Sequence, residues 1–323
     1  IALWYSVPFC GKESDAYKRF EGKFLTEEHR WAPVFDPRYP EVREYLIDLY
    51  KNALLDWNLD GFKLDFIDEF KTYGNTKLTM ENGRDFSSVN EAVDRLMTDV
   101  INTLHAINPN CVIEFRQKYV GPAMRKYGNM FRAFDCPGDA VMNRIRIADL
   151  RMMSGTTATH ADMFTYHPTE GLEQKSLQLI NSLFGVPQLS IKLSEATPEE
   201  INMLRFYTQY WNENKSTLLE GDITPFNALG NYPIIKAVST GLTVIGVYDK
   251  QVVSFEEETI QVDILNARIG EGIVLESTKD YGDYICLVQN VEGATVRQTT
   301  LHIQKGITHI AVPSCGIIRL KRA

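Results

Sequence analysis

The segment that most constrains this chain runs from Asp60 to Ile67, where two opposite charges interrupt an apolar run typical of a buried strand. Side chains alternate along a strand, so the apolar residues up to Phe66 are predicted on one face and Lys63 and Asp65 on the other. In a (β/α)₈ barrel such a strand turns its charges into the lumen, where these barrels keep their chemistry. A purely structural ion pair is the alternative, but burial of such a pair rarely offsets its desolvation. We therefore predict that Lys63 and Asp65 have a function.

Length and charge narrow the class of protein. The chain has 323 residues, 44% apolar and 24% charged, which suits one large barrel or a barrel with a smaller domain. A net charge of −8 without a long basic run argues against nucleic acid or membrane as the partner and favours a neutral, polar ligand. The five cysteines are scattered, so neither a disulfide framework nor a zinc site is predicted, and we expect no metal or cofactor.

The apolar periodicity predicts repeated strand and helix units. A helix is predicted from Pro40 to Leu55. Two more are predicted to begin at the capping-box pairs Ser88 with Glu91 and Thr197 with Glu200. Six strands are predicted, near residues 2, 61, 112, 131, 156 and 188.

A barrel of this class needs eight strands. Because the chain starts at Ile1, without an initiator Met and directly in a strand, we expect the rest of the polypeptide to supply the first two strands. Beyond Gly221, short β-branched runs separated by Gly, Asn and Asp predict an antiparallel β-sandwich. The predicted fold class is therefore α/β. Residues 1–221 form a (β/α)₈ TIM-type barrel lacking its first two strands, and an all-β domain follows in residues 222–323.

The motifs of residues 1–221 resemble, at a distance, those of the family 36 α-galactosidases among the glycoside hydrolases. Residues 3–8 (LWYSVP) resemble the family's Trp-Phe-Glu-Pro segment, with Ser6 in place of the Glu. Residues 61–65 (GFKLD) match its Lys-Trp-Asp motif, the most specific of the matches. In the family that Asp is the nucleophile and the Lys contacts the sugar, which implies these roles for Asp65 and Lys63.

Two further segments extend the resemblance, and one departs from it. Residues 134–139 (FDCPGD) fall where the family carries a Ser-Asp-Asn motif, which implies that Asp135 is the general acid/base. Residues 160–171 resemble a family segment with an early His and a later Asn-His-Gln-Thr-Gly. The family's Gly-rich, Arg-bearing loop after strand five is absent, and residues 114–118 (EFRQK) stand in its place, which leaves the monosaccharide open. The resemblance implies a retaining α-galactosidase acting on an oligosaccharide or another α-glycoside. The alternatives are an α-glycosyl transferase of the raffinose-synthase type and a non-catalytic carbohydrate-binding barrel.

The chemistry of retaining hydrolysis also selects residues without the family. It needs two carboxyl groups about 5–5.5 Å apart, one ionised to attack and one protonated to release the leaving group. Asp65 suits the attack, with Lys63 holding it ionised and donating to sugar hydroxyls. Asp135 suits the acid because apolar residues precede it, and a dry surrounding raises a carboxyl pKa. Asp139 is the rival acid, although its position just before a helix is typical of an N-cap.

Further polar and aromatic residues are predicted to bind the sugar. Arg116 shares its strand face with Glu114 and is a candidate to clamp hydroxyls or a carboxylate, with an internal ion pair to Glu114 as the alternative. His160 and Asp162 are predicted to bind hydroxyls together, with a backbone carbonyl as the other candidate partner of the His. Aromatic candidates for stacking on a sugar face, with core packing as the alternative, are Trp4, Tyr5 and Trp31.

Overall fold

The computed structural model describes residues 1–116, 118–155, 157–256 and 259–323, and the chain divides into two compact units, Ile1–Arg132 and Ala133–Ala323. The division falls inside the predicted barrel region, and the domain boundary at residue 221 stays a prediction. None of the helices in the described ranges is both long and apolar enough to cross a membrane.

The first unit alternates strands with helices. Its elements are β1 (Ala2–Ser6), α1 (Asp15–Arg19), β2 (Phe24–Thr26), β3 (Val34–Phe35), α2 (Pro40–Asp56), β4 (Gly61–Asp65), α3 (Val89–Ile107), β5 (Val112–Arg116) and β6 (Met130–Arg132). Strands β1, β4, β5 and β6 are neighbours in that order and pair in parallel, while β2 and β3 form a small antiparallel ladder. Long crossovers containing α2 and α3 connect β1 to β4 and β4 to β5, as parallel pairing requires.

The two long helices of this unit begin where their capping signals predict. Pro40 occupies the first turn of α2, where its missing N–H would have no partner in any case. The Ser88 side chain accepts the Glu91 backbone N–H at 3.3 Å and so caps α3. The apolar stripe of α3 is buried, as its helical spacing predicts; its members are Leu96, Val100 and Leu104.

Strand β4 ends at Asp65, two residues earlier than the run of apolar residues predicts. Phe66 takes a left-handed φ of 64°, and a short 3₁₀ turn over Ile67–Glu69 follows. The prediction that Phe66 shares the apolar strand face is therefore wrong, because the strand's alternation stops where the backbone changes hand. A bulky residue with positive φ is uncommon, and such conformations cluster at functional sites.

The second unit starts with strands and helices and continues with strands alone. Its elements are α4 (Ala140–Ser154), β7 (Ala158–Phe164), α5 (Leu172–Ile180), β8 (Val186–Leu189), α6 (Pro198–Lys215), β9 (Asp222–Phe226), β10 (Ile234–Ser239), β11 (Leu242–Val247), β12 (Val252–Phe255), β13 (Gln261–Asn266), β14 (Ile273–Ser277), β15 (Gly282–Gln289), β16 (Thr295–Ile303), β17 (Gly306–Ile310) and β18 (Ile317–Arg322).

The predicted strands and the last predicted helix of the α/β region are present. Strands β7 and β8 pair in parallel, which with β1, β4, β5 and β6 accounts for the six predicted strands. The strand predicted from Thr156 begins at Ala158, and Thr156 itself lies outside the described residues. Thr197 and Glu200 form the predicted capping box of α6, with side-chain to backbone bonds in both directions.

The strands after residue 221 form two sheets. Their orders are β16-β15-β18-β13-β11-β10-β9 and β12-β14-β17. The prediction of a purely antiparallel arrangement is corrected, because β11 pairs with β13, and β12 with β14, in parallel. Along the chain, β12 of the other sheet lies between β11 and β13, and β13 of the other sheet lies between β12 and β14. The chain therefore reverses twice, and the two paired strands run in the same direction. One buried apolar cluster draws side chains from both sheets, among them Ile245, Phe255, Leu275, Ile310 and Leu320.

The close approach of β4 to β5 depends on the glycine that opens β4. A Cβ at Gly61 would overlap the backbone carbonyl oxygen of Val112. We expect Gly61→Ala to force the strands apart and to lower the free energy of unfolding by about 1–3 kcal/mol, as overpacking does. Urea unfolding monitored by circular dichroism measures this. Gly11→Ala is the matched control, because nothing lies within 4 Å of its Cβ position and no loss is expected.

Candidate active site

Two ion pairs connect the facing strands β4 and β5. The register places Lys63 beside Glu114, and their charged atoms lie 3.7 Å apart. Two residues further along, Arg116 Nε lies 3.0 Å from Asp65 Oδ1. Asp65 and Arg116 are therefore joined across the strands, and Arg116 supplies a counter-ion that the sequence interpretation had assigned to Lys63. All four of the charged residues that were predicted to face one way come together in this ladder.

Asp65 is only 5% exposed, and both oxygens of its carboxylate accept hydrogen bonds. Oδ1 accepts the Phe66 backbone N–H at 2.8 Å and Arg116 Nε at 3.0 Å, and the Tyr119 hydroxyl lies 3.5 Å away. Oδ2 accepts the indole N–H of Trp4 at 3.0 Å. Because both oxygens accept hydrogen bonds, the direction in which the carboxylate points is fixed.

Tyr119 is a member of this site that the sequence interpretation missed. Its hydroxyl donates to the Leu64 carbonyl at 3.1 Å and accepts the Arg116 backbone N–H at 3.3 Å. Burial, with the neighbouring Asp65 charge adding to it, raises the pKa of the Tyr119 phenol far above its usual value. Tyr119 is therefore a neutral donor at any physiological pH. Its position in a loop without periodicity gave no signal in the sequence.

An aromatic surface lies beside the Asp65 carboxylate. Trp4 and Trp31 are 54% and 51% exposed, and their rings meet Phe66 edge to face, with centroids 6.3 and 4.9 Å apart. Phe9 joins the cluster 5.4 Å from Phe66. Trp4 therefore bonds to the predicted nucleophile and also presents an exposed face, while its role in stacking on a sugar stays a prediction. Exposed aromatic patches of this kind mark binding surfaces.

The environment of Asp135 differs from the prediction. The chain forms neither strand nor helix between Arg132 and Ala140, and the Asp135 side chain is exposed. Ala133 is fully buried, but this burial does not extend along the irregular segment to Asp135. In the described part of the chain, the preceding apolar residues therefore do not give the Asp135 side chain the dry surrounding that was expected. Asp139 is the N-cap of α4, with Oδ1 accepting the Met142 N–H at 2.9 Å, which confirms the simpler of its two interpretations.

His160 and Asp162 each have a different described partner. His160 is half-buried, and its Nδ1 lies 3.0 Å from Nε2 of Gln188, a neighbour on β8 that the sequence interpretation did not single out. Asp162 is 1% exposed, and its Oδ2 accepts the backbone N–H of Cys136 at 2.5 Å. Asp162 is therefore in contact with the segment that carries Asp135, and its predicted role in binding sugar hydroxyls stays a prediction.

No protein-family model and no curated protein matches the chain, whereas many solved structures do. The GH36 α-galactosidase AgaA from Geobacillus stearothermophilus has 15% identity and a TM-score of 0.62, over 100% of this chain and 44% of that chain. The α-galactosidase from Lactobacillus brevis has 13% identity and a TM-score of 0.60, with the same coverage. An Anoxybacillus α-amylase has 12% identity and a TM-score of 0.63, over 100% of this chain and 76% of that chain.

These similarities confirm the distant likeness to family 36 at the level of fold. The chain has a glycoside hydrolase-like α/β fold followed by β-sheets, and it spans about 44% of the length of the α-galactosidases that it matches. The α-amylase has a TM-score just as high, so this fold is shared by enzymes of different sugar specificity.

The two ion pairs of the ladder differ in burial, and a pair of double-mutant cycles tests the difference. The Asp65 and Arg116 side chains are 6% and 12% exposed, so Arg116→Met leaves an uncompensated buried charge and should cost about 3–5 kcal/mol of stability. With Asp65→Asn added, we expect a coupling of about 1–3 kcal/mol in urea unfolding.

The control cycle uses Lys63→Met and Glu114→Gln. The Lys63 and Glu114 side chains are 24% and 10% exposed, and their charged atoms lie 3.7 Å apart, farther than those of Asp65 and Arg116. We expect a coupling below about 1 kcal/mol there. Equal coupling in the two cycles would contradict the assignment of Arg116 as the main counter-ion of Asp65.

Proposed function

We propose that this chain is part of a retaining α-glycoside hydrolase that acts on α-galactosides. The observation that carries the proposal is the Asp65 carboxylate, which lies at the end of a parallel strand, is bonded to a guanidinium, and is bordered by an exposed tryptophan. Structures of the similar AgaA enzyme contain raffinose, stachyose or 1-deoxygalactonojirimycin, which supports a carbohydrate substrate.

The bonds to Asp65 suggest which oxygen attacks. Oδ1 already accepts two short bonds, from Phe66 and Arg116, whereas in the described part of the chain Oδ2 accepts one, from Trp4. In the proposed first step a lone pair of Oδ2 forms a bond to the anomeric carbon, and the bond from that carbon to the leaving oxygen breaks. The product of this step is a covalent glycosyl ester of Asp65.

The second carboxyl group acts in both steps. Asp135 gives its proton to the departing oxygen, so that an alcohol leaves rather than an alkoxide. It then takes a proton from water as the water oxygen attacks the anomeric carbon and releases Asp65. The configuration at that carbon is inverted twice and therefore retained.

Other residues bind and orient the sugar in this proposal. Lys63 donates hydrogen bonds to hydroxyls from the same strand face as Asp65, and the exposed face of Trp4 packs on the ring's C–H surface. Arg116 acts through Asp65, as its counter-ion. His160, half-buried and bonded to Gln188, remains a candidate hydroxyl-binding residue.

The proposal also extends the fold. We assign the six parallel strands to a (β/α)₈ barrel whose first two strands belong to another part of the polypeptide, and residues 222–323 to a C-terminal β-sandwich. The relatives' greater length supports the first assignment, since this chain covers 44% of AgaA. The apolar cluster shared by the two sheets supports the second.

Activity on a panel of substrates tests the proposal as a whole. The intact polypeptide is offered aryl α-galactosides and aryl α-glucosides, with and without acceptor sugars, and the products are separated. Hydrolysis of the α-galactoside supports the proposal. Preference for the α-glucoside shifts the assignment toward the α-amylase relative, transfer to an acceptor indicates a transferase, and binding without turnover indicates a non-catalytic barrel.

Asp65→Asn tests the nucleophile. We expect the substitution to abolish turnover and to leave sugar binding largely intact, because an amide has the same shape but cannot form the ester. External azide should restore part of the rate and give a glycosyl azide of inverted configuration, measured by NMR.

Asp68→Asn is the matched control, because Asp68 follows three residues later and its side chain is exposed. We expect it to retain near-normal activity. If Asp65→Asn also retains such activity, Asp65 is removed from the mechanism.

Asp135→Ala tests the general acid. Acid assistance matters when the leaving group is poor, so hydrolysis of an alkyl or sugar-linked α-galactoside should slow by about 10²–10⁴-fold, and that of an activated aryl α-galactoside much less. Asp139→Ala removes a helix cap and should show no such selectivity. If Asp135→Ala slows both substrates equally, the residue only positions the sugar; if neither slows, the acid lies elsewhere.

A further inference from the structure

Next to the Asp135 side chain, one peptide group of the main chain is hydrogen-bonded through both its C=O and its N–H. This group joins Asp135 to Cys136, and its planarity means that two bonds are enough to fix its orientation. The Asp135 carbonyl accepts from Arg146 Nη1 at 2.9 Å, and the Cys136 N–H donates to Asp162 Oδ2 at 2.5 Å. A cation therefore holds one edge and an anion holds the other.

Arg146 reaches this peptide from α4. Its Nη1 also donates to the Phe134 carbonyl at 2.8 Å, so one nitrogen joins two successive carbonyls, and the guanidinium lies 5.2 Å from the centre of the Phe134 ring. Hydrogen bonds with a charged donor are stronger than neutral ones, and the flat guanidinium limits the directions in which they form. The backbone on the N-terminal side of the Asp135 side chain is held as well.

Asp162 is itself firmly placed on β7. The Asn143 side chain bonds to both backbone groups of Asp162. Its Oδ1 accepts the Asp162 N–H at 3.0 Å, and its Nδ2 donates to the Asp162 carbonyl at 3.2 Å. At 1% exposure the Asp162 carboxylate gives up its hydration, a cost that needs compensation from bonds such as the one to Cys136. The same helix, α4, thus anchors both the strand bearing Asp162 and the loop bearing Asp135.

We propose that Arg146 and Asp162 are positioning residues that set the orientation of Asp135 by clamping the peptide that follows it. This inference rests on the proposed function, in which Asp135 is the general acid/base. Proton transfer requires the Asp135 carboxyl group within hydrogen-bond reach of the leaving oxygen, and the orientation of the peptide that follows Asp135 limits where its side chain can reach. The clamp fixes the backbone of Asp135 and leaves its side chain exposed to the substrate.

The activity test uses Arg146→Met, Arg146→Lys and Asp162→Leu in the intact polypeptide. We expect Arg146→Met and Asp162→Leu to lower kcat for a sugar-linked α-galactoside by about 10–100-fold, since a misplacement of about 1 Å has effects of this size. KM, and turnover of an activated aryl α-galactoside, should change little. Arg146→Lys, which keeps one cationic donor, should restore part of the loss. Arg125→Met, at an exposed position, should be neutral.

Combination with Asp135→Ala separates positioning from a merely structural role. If Arg146 acts through Asp135, Arg146→Met should produce no further loss of kcat on the poor substrate once the Asp135 carboxyl is gone. An equal loss in both backgrounds overturns the inference. Leaving-group selectivity in Asp135→Ala without any in the clamp variants also overturns the inference, while the proposed function stands.

A measurement without substrate tests the clamp even if the proposed function fails. Amide hydrogen exchange at Cys136 should be slow in the native protein and at least about 10-fold faster in Asp162→Leu, because the N–H loses its buried acceptor. The exchange of amides in α3 is the internal control for global unfolding. Fast exchange at Cys136 in the native protein means that the peptide is not held, and the inference is then wrong.

Discussion

The ion pair between Asp65 and Arg116 constrains the structure around it. A carboxylate at 5% exposure is stable in its charged form only where donors replace its lost water, and Arg116 is the one charged group bonded to it in the described residues. Their contact requires β4 and β5 to lie in one register and close together, which Gly61 permits. The indole N–H of Trp4 and the backbone N–H of Phe66 complete the set of donors, so the strand register, the turn and the aromatic surface all meet at this one carboxylate.

Much of the α/β framework could be predicted because it depends on local signals. Helix α2 begins at Pro40, and α3 and α6 begin directly after their N-caps Ser88 and Thr197, where capping chemistry involves residues only a few positions apart. The strand of Asp65 was predicted from the alternation of its apolar and charged residues, but the end of the strand at Asp65 was not predicted. Whether Phe66 continues the strand depends on the aromatic rings that receive it, and these come from segments far away in the sequence.

Partners of the site residues could not be predicted in the same way. Arg116 meets Asp65 through the register of two parallel strands, 51 residues apart, and Tyr119 arrives from a loop. The burial of Asp162 likewise depends on a backbone N–H 26 residues earlier in the chain. Spacing in a sequence indicates which residues share a strand face, as for His160 and Asp162, but it does not indicate which partner each one meets.

The bonds described around the two predicted carboxylates act at different places, on the side chain of Asp65 and on the main chain of Asp135. Asp65 is bonded through its own oxygens, which fixes the direction from which a nucleophilic carboxylate can attack. A general acid/base has to gain and lose a proton in every cycle, and strong donors on its oxygens would hinder protonation. The bonds that Arg146 and Asp162 make at Asp135 act on the main chain, so they fix the position of the backbone without themselves opposing protonation of the carboxyl group. Bonds to the side chain thus suit the proposed attack by Asp65, and the clamp on the main chain suits the proposed proton transfer by Asp135.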